Sequence, residues 1–412
     1  MSNSPLPWPE SPPAGGPLPG VPTSLQCDVG IVGAGIHGAA LARELTLRGV
    51  SSALIDIGGV GGGTSQWSTQ LLHGGLRYLR TGDFRQVREG LAERATWMRI
   101  APHRCTWRAF HVPMRGWWSA LVQRIGITLY DTWGRDRPDW PRELRLGRVP
   151  GEMFAADPRS HGGTFRSAVA YADLQTDDRA LTRDLAASSD TTLLDFHEVL
   201  DWQRDSGRVI GVRLRDRRDE STERGVTAAQ WVLALGPWTD RALARWFGPQ
   251  PHPRLRLSAG IHLWLDAVPG CDAPWTVMRH GGRVIFVIPR DGMLQIATTE
   301  REVDDGCVAI TQAERDYLYA ALADDMPAIA WRELKVHAEE SGVRPLVLAH
   351  GRRGTAGLSR EARLDPLPPF DNVHLVLGGK LTTARRLMDQ LATKLTGERC
   401  PASRTTALTP HA

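Results

Sequence analysis

The chain has 412 residues, 42% hydrophobic and 23% charged, which is long and apolar enough to bury one large core or two coupled ones and excludes a disordered chain. Its 50 basic and 46 acidic residues leave a net charge of +4, and with the acids interspersed this excludes a surface built throughout for nucleic acid. Five widely spaced cysteines without a C-x-x-C pair suggest neither a disulfide framework nor an iron–sulfur or zinc site, and no metal is expected.

The first segment, 1–25, carries eight prolines before Ser24 and lacks the basic start and apolar core of a secretory signal. It reads as an extended, disordered arm. No window approaches the run of about 18 uncharged apolar residues that a spanning helix needs, and a cytoplasmic protein is expected.

Folding is expected to begin near Cys27. CDVGIVG is a short apolar run with the pattern of a buried strand, IHGAALARELTLRG carries Ile36, Ala40, Leu41, Leu45 and Leu47 at helical spacing, and SSALID (51–56) is a second strand. From Asp83 a helix is expected with Phe84, Val87, Leu91, Ala95 and Met98 on its buried face, ending at Pro102. Segment 104–148 then holds nine arginines, five tryptophans and four acidic residues, an excess that the overall charge conceals. WWSALVQRIGITLYDTW within it has apolar spacing compatible with a helix lying in a bilayer interface.

Segment 164–200 reads as mixed helix and strand, and 207–236 as two strands, GRVIGVRLRD and QWVLALG, around a polar turn. Another β-rich stretch runs from Leu255 to Thr299 with a turn at Arg290-Asp291-Gly292. A helix over Thr311–Ala323 opens with a capping box, Thr311 and Glu314. NVHLVLGG is strand into glycine turn, and KLTTARRLMDQLATKL a closing helix.

Gly33-Ala34-Gly35-Ile36-His37-Gly38 fits G-x-G-x-x-G. A strand precedes it, a helix follows, and Asp56 ends the next strand 18 residues after Gly38. Such glycines let the backbone turn sharply and approach a diphosphate, whose charge meets the helix N-terminus, while an acidic residue at the position of Asp56 accepts from a ribose hydroxyl. The motif indicates a dinucleotide without saying which.

Residues 64–80, TSQWSTQLLHGGLRYLR, resemble FAD-dependent glycerol-3-phosphate dehydrogenases, and HGGLRYL (His73 to Leu79) is especially close. YADLQTDDRAL (171–181), ALGPW (234–238), VIFVIP with ATT (284–289, 297–299), SGVRPL (341–346) and GGKLTT (378–383) follow in the family's order. The resemblance covers about residues 27–395 and implies a flavoprotein of the D-amino-acid-oxidase type: an α/β fold with a discontinuous Rossmann-like FAD-binding domain (26–82, 151–250 and 341–400) and a β-rich, α+β substrate or cap domain (83–150 and 251–340), with 401–412 as a tail. It also implies a short form, because larger bacterial members carry a helical C-terminal domain and this chain stops at Ala412.

What the resemblance implies for the site can be stated by residue. FAD would lie along Gly33, Gly35, Ile36, His37, Gly38 and Asp56, the loop holding Thr64, Ser65, His73, Gly74 and Gly75, then Gly236, with its ring at Gly378, Gly379, Lys380, Leu381 and Thr382. A helix beginning at Lys380 would point its N-terminus at the ring. Arg77, Tyr78, Thr298, Thr299, Arg344, Arg360 and Lys380 would bind substrate, the two arginines Arg344 and Arg360 holding a phosphate or nearby hydroxyls. His262 is the first choice for the base, a neutral imidazole that accepts a proton near pH 7, and His73 the second; Lys380 and Arg344 complete the expected catalytic set.

The implied reaction is oxidation of sn-glycerol 3-phosphate to dihydroxyacetone phosphate, with electrons passed to quinone or another acceptor and peripheral membrane contact through 104–148, on the cytoplasmic face of the inner membrane. The same fold also serves other donors, a 2-hydroxy acid or an amine, or a non-catalytic flavoprotein. Three departures stand out: Leu235 where the family has threonine, Gln70 where it has lysine, and Ile261 where it has serine before His262. Finally, the chain holds only three lysines, Lys335, Lys380 and Lys394, and Lys380 alone lies in a motif.

Overall fold

The computed structural model describes residues 24–75, 78, 82–113, 125–130, 132–134, 168–278, 283–306, 308–348 and 362–411. The expected β–α–β unit is present as β1 (Ser24–Val32), α1 (Ile36–Thr46) and β2 (Ser52–Ile55). β1 already includes Ser24 and Leu25, the last two residues of the segment expected as an arm; 1–23 lie outside the described residues. Next come β3 (Leu71–Leu72), α2 (Phe84–Ile100), β4 (Cys105–Pro113), β5 (Ala168–Thr176), α3 (Asp178–Ala187) and β6 (Thr192–Leu194). A meander of β7 (His197–Asp205), β8 (Arg208–Asp216) and β9 (Asp219–Leu233) leads to α4 (Thr239–Phe247). Then follow β10 (Leu255–Asp266), β11 (Trp275–Met278), β12 (Val284–Arg290), β13 (Met293–Ala297), β14 (Arg301–Val303) and α5 (Gln312–Asp325). The chain closes through β15 (Val336–Val347), β16 (Arg363–Pro366), β17 (Val373–Leu377) and α6 (Ala384–Thr396).

The first sheet runs β16-β17-β9-β1-β2-β6, with β7 and β8 attached through β9. β1 pairs in parallel with β2 and with β9, and β9 in parallel with β17. α1 and α6 cover one face, where Val29, Ile31, Leu41, Leu45, Met388 and Leu391 share a core; the β7–β9 meander covers the other with Trp202 and Trp231. Gly30 makes that second contact possible, because a Cβ there would lie 2.3 Å from the Trp231 ring.

The second sheet is β14-β10-β13-β12-β11-β4-β5-β3, with β15 along β10. Ile261 and Leu263 face a core with Leu318 and Leu322 of α5, so the side chains between them in β10 face the other way. α5 starts as expected, with Thr311 and Glu314 in a capping box, and Asp291 and Gly292 (φ 52° and 73°) turn β12 into β13. Three strands depart from the expected partition: β3, β5 and residues 341–347 of β15 fall in segments assigned to the dinucleotide-binding part but pair in the second sheet. Composition does not reveal this, since a strand's own pattern carries no information about which sheet it joins.

Two helices and the last segment also differ from expectation. α2 buries Val87 and Leu91 as expected, but Phe84 is 46% exposed, and Glu93, Arg94, Trp97 and Ile100 are buried instead. The helix is enclosed on several sides and its polar residues have buried partners there. α6 begins at Ala384, so Lys380 to Thr383 form the turn before it. Residues 401–411 are not a loose tail: Leu408 is 4% exposed, and Ser403 Oγ donates to Glu44 Oε1 at 2.8 Å while Arg43 Nη2 donates to Thr406 O at 2.6 Å.

Arg385 of α6 closes that network with two bonds of 2.8 Å to Glu93 of α2, both side chains essentially without exposure. Arg385→Ala leaves a buried carboxylate uncompensated and is expected to cost about 3–5 kcal/mol. Chemical denaturation checks this; a loss under about 1 kcal/mol would show the pair to be solvated.

Candidate active site

Four parallel strands end on one cavity of about 810 Å³: the turns after β1 (Gly33, Gly35, Ile36, His37), β2 (Asp56 to Gly59), β9 (Ala234 to Trp238) and β17 (Gly378 to Thr382) all line it. β1 lies between β2, its successor through α1, and β9. This is the switch point where a crevice opens at strand carboxyl ends. The second sheet supplies the opposite wall with Thr298, Thr299, Gly342 and Arg344.

At the glycine turn Gly33 adopts φ +108°, and a Cβ would sit 2.4 Å from Ala234 O. Only glycine allows this approach. The first amide of α1, Ile36 N, donates to Ser65 Oγ at 2.9 Å, so the 64–66 turn faces the helix N-terminus where an anion is favoured. Asp56 accepts from Ala34 N at 2.6 Å and Gly58 N at 2.7 Å, one on each oxygen. Burial raises its pKa while those two amides oppose the rise. A carboxylate oxygen has further lone pairs, so a ribose hydroxyl still has an acceptor. His37 is partly buried at the cavity edge, its buried Nε2 has no hydrogen-bond partner among the described residues, and burial pushes its pKa down to about 4. A Cβ on Gly379 (φ +99°) would lie 2.5 Å from that Nε2. The glycine-lined cradle, the helix terminus and this orphaned nitrogen fit a dinucleotide such as FAD.

The two expected cations line the same cavity from opposite walls, Lys380 from the turn after β17 and Arg344 from β15. Lys380 Nζ stands 3.9 Å from the centroid of the Tyr78 ring and donates to Gln86 Oε1. Arg344 Nη2 donates to Thr298 Oγ1 at 2.7 Å and Nη1 to Thr299 O at 3.2 Å. Gly260 makes room for that guanidinium, since a Cβ there would lie 2.4 Å from Nη1. His73 also lines the cavity, and its backbone N donates to Thr382 Oγ1 at 3.1 Å. Leu381 and Thr382 complete the turn.

Three expected residues are not on the wall. Gly38 sits behind it, where a Cβ would lie 1.8 Å from Gly33 O, so its role is close packing of α1 on β1. Gly74 packs against Leu91 and donates its N–H to Tyr130 Oη at 2.7 Å. His262 is 2% exposed, with Nδ1 3.5 Å from Glu340 Oε2. It lies one step beyond Gly260 on the same face of β10, opposite Glu340 rather than Gly342, and burial lowers its pKa against the pull of Glu340. Arg77 and Arg360 lie outside the described residues, as do Trp117, Trp118 and Trp140 of the tryptophan-rich segment.

Other supports were not foreseen. Trp97 Nε1 donates to Thr382 O at 2.8 Å, fixing the turn from behind. Asp173, on the wall, accepts from Tyr130 Oη at 2.8 Å and pairs with Arg94 at 2.8 Å. Burial and Asp173 push the Tyr130 phenol up, which keeps it a donor to the carboxylate while it accepts from Gly74. Asp173 stands in the YADLQ motif, so a signal existed; Trp97 and Tyr130 carried none.

A profile described as DAO, FAD dependent oxidoreductase, matches residues 28–384. An aerobic glycerol-3-phosphate dehydrogenase of Staphylococcus epidermidis is 30% identical over 388 residues, spanning 90% of this chain and 68% of that protein. The glycerol-3-phosphate dehydrogenase of Bacillus halodurans, solved with FAD, superposes with a TM-score of 0.68 at 24% identity, covering 92% of this chain and 67% of that one. The L-proline dehydrogenase of P. horikoshii gives 0.69 at 13% identity over 93% and 97%, so the fold by itself does not choose a donor.

The buried histidines set an acid limit. His37 and His374 fall from the ordinary 6.5 to about 4 through burial; between those values the unfolded chain binds protons that the folded chain does not, and stability falls as pH drops. Asp178, which burial raises from 3.8 to about 6, and Asp56, raised by burial as well, have the opposite slope, but these two carboxyls oppose four imidazoles, since burial also lowers His111 and His262. The urea midpoint of the apoprotein is expected to fall between pH 7 and pH 5, and less steeply in His37→Asn. Equal slopes in the two proteins would show that His37 is protonated in the fold.

Proposed function

The chain belongs to the FAD dependent oxidoreductase family, and on that premise we propose that it oxidises sn-glycerol 3-phosphate to dihydroxyacetone phosphate and passes the electrons to a quinone. The observation that carries this reading is a pair of cations, Lys380 and Arg344, on the wall of one glycine-lined cavity. A phosphate-bearing alcohol needs fixed positive charge, whereas an unsubstituted alcohol does not. FAD, when bound, supplies the acceptor for the hydride leaving the secondary carbon.

The protein's part is binding, orientation and proton transfer. Gly33, Gly35, Ile36 and His37 would hold the diphosphate, Asp56 the ribose, and Thr64, Ser65, Gly75, Gly236, Gly378, Gly379, Leu381 and Thr382 the remainder of the cofactor. Arg344, braced by Thr298 and Thr299, would take the phosphate or an adjacent hydroxyl, with Arg77 and Arg360 as further phosphate ligands. Lys380, beside Tyr78, would hold a substrate oxygen near the flavin. His73 is preferred to His262 as the group that takes the hydroxyl proton, because His73 lines the cavity and His262 does not.

Membrane contact through 104–148 belongs to the same reading. Phe84 and Ile125 are 46% and 61% exposed, and Trp133 packs edge-on to Phe84 with Arg88 4.7 Å from its ring. Apolar rings flanked by arginine suit an anionic bilayer interface. Flotation with anionic liposomes at low salt is expected to carry the protein upward; recovery only at the bottom of the gradient removes this element.

The holoprotein is to be mixed anaerobically with glycerol 3-phosphate, glycerol, lactate or proline while the flavin spectrum is recorded. Prompt bleaching by glycerol 3-phosphate alone is expected, and bleaching by proline or lactate instead would overturn the substrate. Lys380→Ala and Arg344→Ala are each expected to lower kcat/KM at least about tenfold, since a charge-assisted hydrogen bond contributes roughly 1.5–3 kcal/mol. Lys380→Arg keeps the charge but not the compact ammonium, and full activity there would show that charge alone suffices.

A further inference from the structure

We infer that Gln86 is a positioning residue that aims the Lys380 ammonium into the cavity, with Asp83 fixing Gln86 in turn; the inference rests on the role proposed for Lys380. Asp83 is the N-cap of α2: its Oδ1 accepts from Gln86 N at 3.2 Å and its Oδ2 from Gln86 Nε2 at 2.5 Å. The other end of the carboxamide, Oε1, accepts from Lys380 Nζ. This determines the orientation of the amide, because a carboxylate only accepts and an ammonium only donates. Rotating it by half a turn would place two acceptors together at Asp83 and two donors together at Lys380.

The spacing Asp83-x-x-Gln86 is that of a capping box, in which the third residue reaches back to the backbone N–H of the cap. Here that N–H is already taken: Asp83 N donates to Tyr78 O at 3.0 Å. The carboxamide is therefore spent on Lys380. One helix start thus holds both parts of the lysine's surroundings, the Tyr78 segment through Asp83 N and the ammonium through Gln86. Of the three ammonium protons, one is directed at Gln86 and the ring face of Tyr78 lies 3.9 Å away, which leaves a proton directed elsewhere for a ligand on the cavity side.

The chemistry of the residue matters as well as its place. Gln86 is 9% exposed and neutral, so it orients the ammonium without cancelling its charge. A carboxylate at this position would form an ion pair with Lys380 and compete with an anionic substrate. The acid at the N-cap of α2, Asp83, is committed to the helix N-terminus and to the carboxamide.

The test is a double-mutant cycle in the FAD-loaded protein between Gln86→Leu and Lys380→Met. Gln86→Leu alone is expected to raise KM about tenfold with kcat changed less than about threefold, as for a lost charge-assisted contact, and to leave FAD affinity unchanged. In the Lys380→Met background the same change is expected to leave KM where it is, because the effect passes through Lys380. Gln86→Glu is expected to raise KM further than Gln86→Leu, with the difference shrinking at high salt. A role confined to capping α2 would lower thermal stability equally in both backgrounds and leave KM unmoved, and additive effects on KM would overturn the inference. If the wild-type flavin is bleached by a donor other than glycerol 3-phosphate, the cycle is run on that donor. The wild type then decides the substrate and the cycle decides Gln86.

Discussion

At the carboxyl end of β1 the backbone passes so close to its neighbours that a Cβ on Gly33 would lie 2.4 Å from Ala234 O, and one on Gly38 1.8 Å from Gly33 O. This crowding brings the start of α1 directly onto the strand ends. It is why the turns after β1, β2, β9 and β17 share one cavity and why helix amides face the place where a diphosphate would lie. Had either glycine a side chain, α1 would shift outward and the Ile36–Ser65 contact, 2.9 Å long, would open.

A second set of contacts ties the two sheets across the cavity. Thr64 Oγ1 donates to Val343 O of β15 at 2.9 Å, linking the loop beside α1 to the wall that carries Arg344. Trp97 and His73 converge on Thr382 from α2 and from the β3 side, at 2.8 and 3.1 Å. Arg385 and Glu93 join α6 to α2 beneath the same turn. Such buried polar ties are weak evidence for stability but costly to break singly, and here each one ends at a residue on the cavity or directly behind it. They convert a large cavity into a defined one.

Charge is distributed on the same principle. The overall balance of +4 conceals a site in which Lys380 meets the neutral Gln86 and the ring of Tyr78, while Arg344 donates to Thr298 and Thr299. Elsewhere, many arginines pair with acids: Arg48 with Glu44 and Asp389, Arg104 with Asp184, Arg315 with Glu339. An ammonium held by a neutral acceptor, as Lys380 is by Gln86, keeps its charge uncancelled for an incoming anion.

The amino-acid sequence by itself determined the β–α–β unit, the glycine turn, the capping box at Thr311, the order of the motifs and the two cations, because each is written in local spacing or in a contiguous motif. It also carried Asp173, unread, inside YADLQ. It could not assign β3, β5 and β15 to the second sheet, because a strand's alternation is the same whichever partner it takes. It could not show that His262 is covered while His73 is not: both stand in matching motifs, and only the pairing of β10 with β15 puts Glu340 rather than an open wall opposite His262. Nor could it reveal Gln86 or Trp97, whose partners lie almost 300 residues away, at |i−j| of 294 and 285. Contacts between residues so distant in sequence exist only once the sheets and helices have packed, and the tertiary structure alone decides them.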